Sequence, residues 1–141
     1  MSIDKKIIGR REYVDLPEFG LSKIIAKIDT GAYNGAIHTG KVIEKEIDGR
    51  KFIEFSLLDE DHPEFKEEYF QVDNFEKRKV TNSNGDTEER YVIPTKIVLS
   101  GFEIPVKLSL SNRKNLRYPI LIGRKIIKKH FLVDVAKKFT N

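Results

Sequence analysis

Apolar and polar positions alternate through much of this chain. Ile53, Phe55 and Leu57 alternate with Glu54 and Ser56, and Val106, Leu108 and Leu110 with Lys107 and Ser109. A period of two is that of a strand with one buried and one wet face. The same reading predicts strands over Ile7–Val14, Lys23–Asp29, Lys41–Ile47, Lys51–Leu58, Glu68–Val72, Phe75–Thr81, Glu88–Ile93, Thr95–Leu99, Glu103–Leu110 and Phe131–Val135, with a short piece at Ala36–His38 set among Gly31, Gly35 and Gly40. Turn residues punctuate them: Pro17 and Gly20, Asp48-Gly49, Asn82 to Asp86, and Ser100-Gly101-Phe102. Each supplies a positive φ, a preset φ or a side chain that closes a turn. Only Gly123–His130 has helical spacing, with Ile126 and Ile127 inward and Lys128 and Lys129 outward. Short strands with frequent turns and one short C-terminal helix predict an all-β barrel. At 141 residues it forms one domain, spanning 1–141.

One stretch carries chemistry. The apolar run Ile24–Ile28 delivers Asp29 into a turn continued by Thr30, Gly31 and Ala32. A carboxylate at the end of an apolar strand is costly unless it is bonded or put to use. Thr30 adds a hydroxyl that both donates and accepts, and Gly31 lets backbone approach closely. Downstream, Pro119-Ile120-Leu121-Ile122 runs into Gly123-Arg124. This is the composition of an aspartic-protease half-site. Such catalysis needs two carboxylates close enough to share a proton. A chain with a single Asp-Thr-Gly must find the second in another copy, so the reading requires a homodimer about a two-fold axis.

The run from Ile8-Gly9-Arg10-Arg11 through Ile28-Asp29-Thr30-Gly31-Ala32, with Leu116-Arg117-Tyr118-Pro119-Ile120-Leu121-Ile122-Gly123-Arg124 and Phe131-Leu132-Val133-Asp134, resembles the retropepsin-like aspartic proteases. Within them it looks like the group labelled ATP-dependent zinc protease, whose members are associated with ATP-grasp amino-acid ligases. The resemblance implies a closed retropepsin-like (acid protease) barrel and a hydrolase acting on peptides or amide-linked, possibly glutamate-rich, amino-acid tails. It makes Asp29 catalytic, with Thr30 and Gly31 as its support, and raises an ATP-grasp ligase as a partner. Tyr33-Asn34-Gly35-Ala36 stands where the family has Arg-Thr-Ser-Ala, a departure that leaves the Asp29 turn intact and bears on substrate preference. The expected substrate contacts are Ala32, the hairpin tip at Asn84 and Gly85, and the basic pair Arg113 and Arg117. Two hairpin tips compete for the flap, Asp48-Gly49 and Asn82 to Asp86; counted back from Gly123, the hairpin turning at Gly101 resembles the one that follows the flap in retropepsins, which makes Asn82 to Asp86 the better candidate. The label's zinc and ATP find no support in the residues. There is no Cys and no His-Glu-x-x-His, His38, His62 and His130 are scattered, and no Gly-rich loop ends in Gly-Lys-Ser or Gly-Lys-Thr. No metal and no cofactor are therefore expected, and His38 reads as a hydrogen-bonded structural residue.

Composition changes little in this picture. With 39% hydrophobic and 34% charged residues the chain is of the folded, water-soluble kind. No apolar run reaches a membrane span and the first residues lack a signal-peptide core, which together predict a cytoplasmic protein. The net charge of +4 is unevenly spread: Glu44–Arg90 holds 15 acidic and 8 basic residues, Tyr91–Asn141 holds 11 basic and 2 acidic. That asymmetry admits a basic nucleic-acid-binding barrel as a rival reading, but such a module has no use for Asp-Thr-Gly, and Asp29 would oppose phosphate. A catalytically silent interaction subunit of a ligase system is the other alternative.

Overall fold

The computed structural model describes residues 4–81 and 84–140. Its elements are β1 (Lys6–Ile8), β2 (Arg11–Leu16), a 3-10 turn (Pro17–Phe19), β3 (Leu21–Ile28), β4 (Gly35–Ile47), β5 (Arg50–Leu57) and β6 (Phe70–Val72). There follow β7 (Glu76–Thr81), β8 (Thr87–Leu99), β9 (Phe102–Ser111), β10 (Ile120–Ile122), α1 (Arg124–Ile127) and β11 (Phe131–Val133). The main sheet runs β10-β3-β2-β8-β9-β4-β5-β6, and β10 also pairs with β4. The path β10-β3-β2-β8-β9-β4 therefore returns to β10 as a ring, with β5 and β6 extending from β4 and β7 from β8. Closure leaves the six strands of the ring without an open edge, so that β6 and β7 are the edges of this sheet among the described residues. The expected all-β architecture with one short C-terminal helix is what forms.

Alternation decides what fills the core. Ile24, Ala26 and Ile28 of β3 point inward with Ile53 and Phe55 of β5, Ile93, Ile97 and Leu99 of β8, Leu108 of β9, and Ile120 and Ile122 of β10. Burying such side chains contributes about 1.5–3 kcal/mol each. Glu12 is a fully buried carboxylate among them. It accepts from Gly9 N–H at 2.7 Å and Thr140 N–H at 2.7 Å, and from the Thr140 hydroxyl. These donors offset its desolvation and tie the C-terminal tail to β2.

Three expected boundaries differ. The first strand is broken at Gly9–Arg10 because the C-terminal segment crosses there: Arg10 N–H donates to Lys137 O at 2.8 Å, and a Cβ on Gly9 would lie 2.3 Å from that same oxygen. Gly40 does not end a strand. β4 runs through it with a shift of register between Thr39 and Val42, pairing with β9 and β10 before the shift and mainly with β5 after it. β8 likewise continues through Pro94, where two expected strands merge. Pro94 falls between the β7 pairing, which ends at Val92, and the β2 pairing at Val98, a gap that tolerates a residue with no N–H to donate.

Candidate active site

β3 sets Asp29. Parallel pairing with β10 aligns Ile28 with Ile122, and Asp29 N–H continues the ladder by donating to Ile122 O at 2.9 Å. The chain then turns. Gly31 N–H donates to Asp29 Oδ1 at 2.9 Å and Ala32 N–H to Asp29 O at 3.2 Å. A Cβ on Gly31 would sit 3.2 Å from that carboxylate oxygen, so glycine keeps the carboxylate's surroundings open. Lys27 Nζ stands 3.9 Å from Oδ2, and the Asp29 side chain is 28% exposed. Thr30 is exposed on the same turn.

The Gly123 segment grips this turn. Arg124 N–H donates to Ala32 O at 2.8 Å and Lys125 N–H to Tyr33 O at 3.0 Å. The Arg124 guanidinium reaches back to Thr30 O at 2.9 Å and lies 5.8 Å from the Tyr33 ring centre. Gly123 is required by contact: its Cβ would lie 2.3 Å from Asn34 O and 2.6 Å from Tyr33 O.

Beyond the turn, Ala32, Asn34, Gly35 and Ala36 form one wall of a groove of about 1000 Å³. β7 and β8 form another, through Arg78, Glu88, Glu89, Arg90 and Val92, whereas the Asp48-Gly49 hairpin contributes nothing to it. The groove is basic: Arg78, Arg90, Lys107, Arg113, Lys125 and Lys129 line it against Glu88 and Glu89. Arg78 and Arg90 are cross-strand partners. Like charges directly opposite destabilise a hairpin, and each is paired along its own strand, Arg78 with Glu76 at 2.8 Å and Arg90 with Glu88 at 2.6 Å.

Arg113 is half-buried. Burial first, and then the Arg90 charge, press its guanidinium below the usual range, while Asp29 acts in the opposite sense. Its Nε donates to Tyr118 O at 3.1 Å, and its backbone N–H to Nδ1 of the buried His38 at 2.7 Å. His38 is thus a hydrogen-bonded residue, as the sequence reading expects.

The expected contact residues are not all brought together. Ala32 and Arg113 share the groove. Arg117 is exposed, lies 5.9 Å from the Tyr118 ring centre, and borders a separate cavity of about 140 Å³ with His38, Asp59 and His62. Asn84 and Gly85, the latter at φ +86°, sit at the tip of the β7–β8 hairpin and do not line the groove; the rest of that tip, Asn82 and Ser83, lies outside the described residues. Sequence reasoning missed Arg78 and Arg90. The available signal is their symmetry, since they stand equally far on either side of Asn84, which makes them partners in any hairpin turning there. Among the described residues no three His, Cys, Asp or Glu side chains gather as a metal site, and no helix is long and apolar enough to cross a membrane.

Comparison with known proteins agrees with this architecture. A crystal structure of a protein of unknown function from Legionella pneumophila matches at 28% identity with a TM-score of 0.75, over 97% of this chain and 98% of that one. A probable alpha-L-glutamate ligase of Shewanella halifaxensis is 32% identical over 99% of this chain, and one of Parasynechococcus marenigrum is 34% identical over 92%. The chain spans only 30% and 28% of those relatives' lengths. The model of the RimB-like family, described as retropepsin-like aspartic endopeptidase RimB, matches residues 7–141. With its Asp-Thr-Gly turn carried on a closed β ring, the chain belongs to the RimB-like family of retropepsin-like aspartic endopeptidases.

Proposed function

We propose that this chain is one half of a homodimeric aspartic peptidase that hydrolyses amide-linked, glutamate-rich tails. The observation that carries the reading is an accessible carboxylate, Asp29, fixed at a strand end by Ile122 and Gly31, on the turn that leads through Ala32 into a groove whose charged lining residues are mostly cations. A second copy supplies the second Asp29 across a two-fold axis, with the exposed Thr30 hydroxyls holding the two turns together. Two carboxylates at that range share one proton and titrate as a pair. The ionised one takes a proton from a water between them. The water oxygen forms a bond to the amide carbonyl carbon, while the protonated partner hydrogen-bonds the carbonyl oxygen. Proton transfer to the amide nitrogen then lets the C–N bond break. The β7–β8 hairpin serves as the flap, bringing Arg78 and Arg90 over the substrate, where Arg guanidinium groups bind carboxylates bidentately. Glutamate as the tail residue is supported by the names of the relatives, probable alpha-L-glutamate ligases.

Those same names favour a second reading: an interaction domain of a ligase system that binds a glutamate tail without cutting it. Incubation with a peptide ending in α-linked glutamates, followed by mass spectrometry, separates the two. The peptidase reading expects shortened tails from the unsubstituted chain and none from Asp29→Asn. Binding without shortening in both establishes the silent reading, and equal shortening by both removes Asp29 from the chemistry.

A further inference from the structure

His38 makes two side-chain hydrogen bonds that together admit one state of its ring. It is 5% exposed on β4. Nδ1 faces the Arg113 backbone N–H at 2.7 Å, a group that can only donate, so Nδ1 is an acceptor and carries no proton. Nε2 faces Asp59 Oδ2 at 2.7 Å, an acceptor, so Nε2 carries the proton. The ring is neutral and of one tautomer. The other tautomer sets N–H against N–H at one end and a lone pair against a carboxylate at the other. Protonation of both nitrogens costs the Arg113 bond.

Each partner of the ring is itself fixed. Asp59 accepts the Asp61 N–H on its other oxygen at 2.9 Å. Burial pushes the Asp59 carboxyl up, but that N–H, His38 and Lys114 outweigh it and hold the carboxyl below its ordinary range. His38 backbone N–H donates to Pro119 O at 2.7 Å, and its carbonyl accepts from Leu58 N–H at 3.0 Å. Leu58, at φ +66°, adopts a conformation that costs a non-glycine residue free energy, and it places Asp59 next to the ring. Three segments therefore meet at His38, through its ring and its backbone: β4, the Leu58–Asp61 turn and both ends of the basic loop between β9 and β10. Arg113 is the charged residue of that loop that lines both the groove and the smaller cavity, together with the apolar Leu116.

We propose that His38 is a positioning residue for acidic substrate: as the neutral Nε2–H tautomer, oriented by Asp59, it fixes the Arg113 backbone and so holds the Arg113 guanidinium at the groove wall. This rests on the proposed reading that the groove takes glutamate-rich tails. His38 touches no reacting atom and acts only through Arg113.

The test is binding, which needs no turnover. In an Asp29→Asn background, calorimetry measures the affinity of a peptide ending in α-linked glutamates and of a neutral peptide of equal length. Asn in place of His38 puts a carbonyl oxygen near the Nδ1 position and can still accept from Arg113. Gln puts its amide near Nε2, keeps the Asp59 contact and leaves the Arg113 N–H without its acceptor. His38→Gln is expected to weaken the acidic peptide about tenfold, the scale of one buried hydrogen bond, without moving the neutral one, and His38→Asn is expected to stay within about threefold. Equal effects of Gln and Asn, or equal losses for acidic and neutral peptides, overturn the positioning role. Absence of acidic-peptide binding when His38 is intact overturns the substrate reading and this proposal with it. Nitrogen-15 NMR of histidine-labelled, unsubstituted protein provides a readout that does not depend on the variants folding. A protonated Nε2 and an unprotonated Nδ1 on His38 are expected at neutral pH, and a protonated Nδ1 overturns the proposal.

Discussion

Replacing Gly123 by Ala tests how firmly the Asp29 turn is gripped. The new methyl group would sit 2.3 Å from Asn34 O, 2.6 Å from Tyr33 O and 2.7 Å from Tyr33 C. All three are backbone atoms, so no rotamer change relieves the clash. Either β10 and α1 move away from the turn or residues 33–34 move away from them. Overpacking of this kind costs about 1–3 kcal/mol. Separation also weakens the bonds from Arg124 N–H to Ala32 O and from Lys125 N–H to Tyr33 O, each contributing about 1 kcal/mol. The expected loss is about 2–4 kcal/mol, read by urea denaturation, with a fall in Tm of roughly 6–15 °C. Gly40→Ala is the control. Its Cβ meets nothing closer than Ser56 Oγ at 3.8 Å, so its stability should change by less than about 1 kcal/mol in either direction. Because Thr30 and Ala32 lie on the displaced turn, Gly123→Ala should also lose cleavage at temperatures where it remains folded. Equal stability of the two variants, with cleavage retained, would refute the claim that Gly123 sets the Asp29 turn.

Two further outcomes follow from placement and charge. Arg113→Ala should weaken a glutamate-tailed peptide about tenfold and Arg117→Ala less than about threefold, because Arg113 lines the groove and Arg117 borders the smaller cavity; fluorescence anisotropy at low and high salt reads both, and a larger loss at Arg117 would reverse the assignment. Burial holds the His62 pKa below its ordinary value, against the opposing charges of Glu64 and Asp59, so its contribution to stability is present above about pH 6.5 and is lost as pH falls through the lowered value. His62→Asn should flatten urea-derived stability across that window, and an unchanged slope excludes the effect.

The Asp29 turn was legible because its causes are local. An apolar run, a carboxylate and a glycine lie consecutively in the chain, and the hydrogen bond from Gly31 to Asp29 spans only that turn. The β4–β5, β7–β8 and β8–β9 hairpins were legible for the same reason, through alternation and turn residues. What escaped depends on distant partners. Gly40 and Pro94 resemble breaks, yet β4 and β8 continue through them, since each strand changes neighbours close to that position. The gap at Gly9–Arg10 is imposed by Lys137 from the far end of the chain. The basic groove was half visible. Arg113 could be singled out within a cationic loop, but Arg78 and Arg90 look like ordinary alternating surface charges until register sets them face to face. Arg117, four residues from Arg113 in sequence, turns toward a different cavity because the loop between them bends at Leu116, whose N–H donates to Arg113 O at 2.8 Å.

The central claim is that one catalytic site is shared by two chains, and mixing subunits tests it most directly. Unsubstituted protein at fixed concentration is equilibrated with increasing Asp29→Asn protein, and cleavage of a glutamate-tailed peptide is followed. A site built from two Asp29 carboxylates predicts that activity falls to roughly half at equal amounts and continues toward zero in excess, as active chains are drawn into mixed dimers. Activity that stays constant as the substituted chain is added would contradict the shared site.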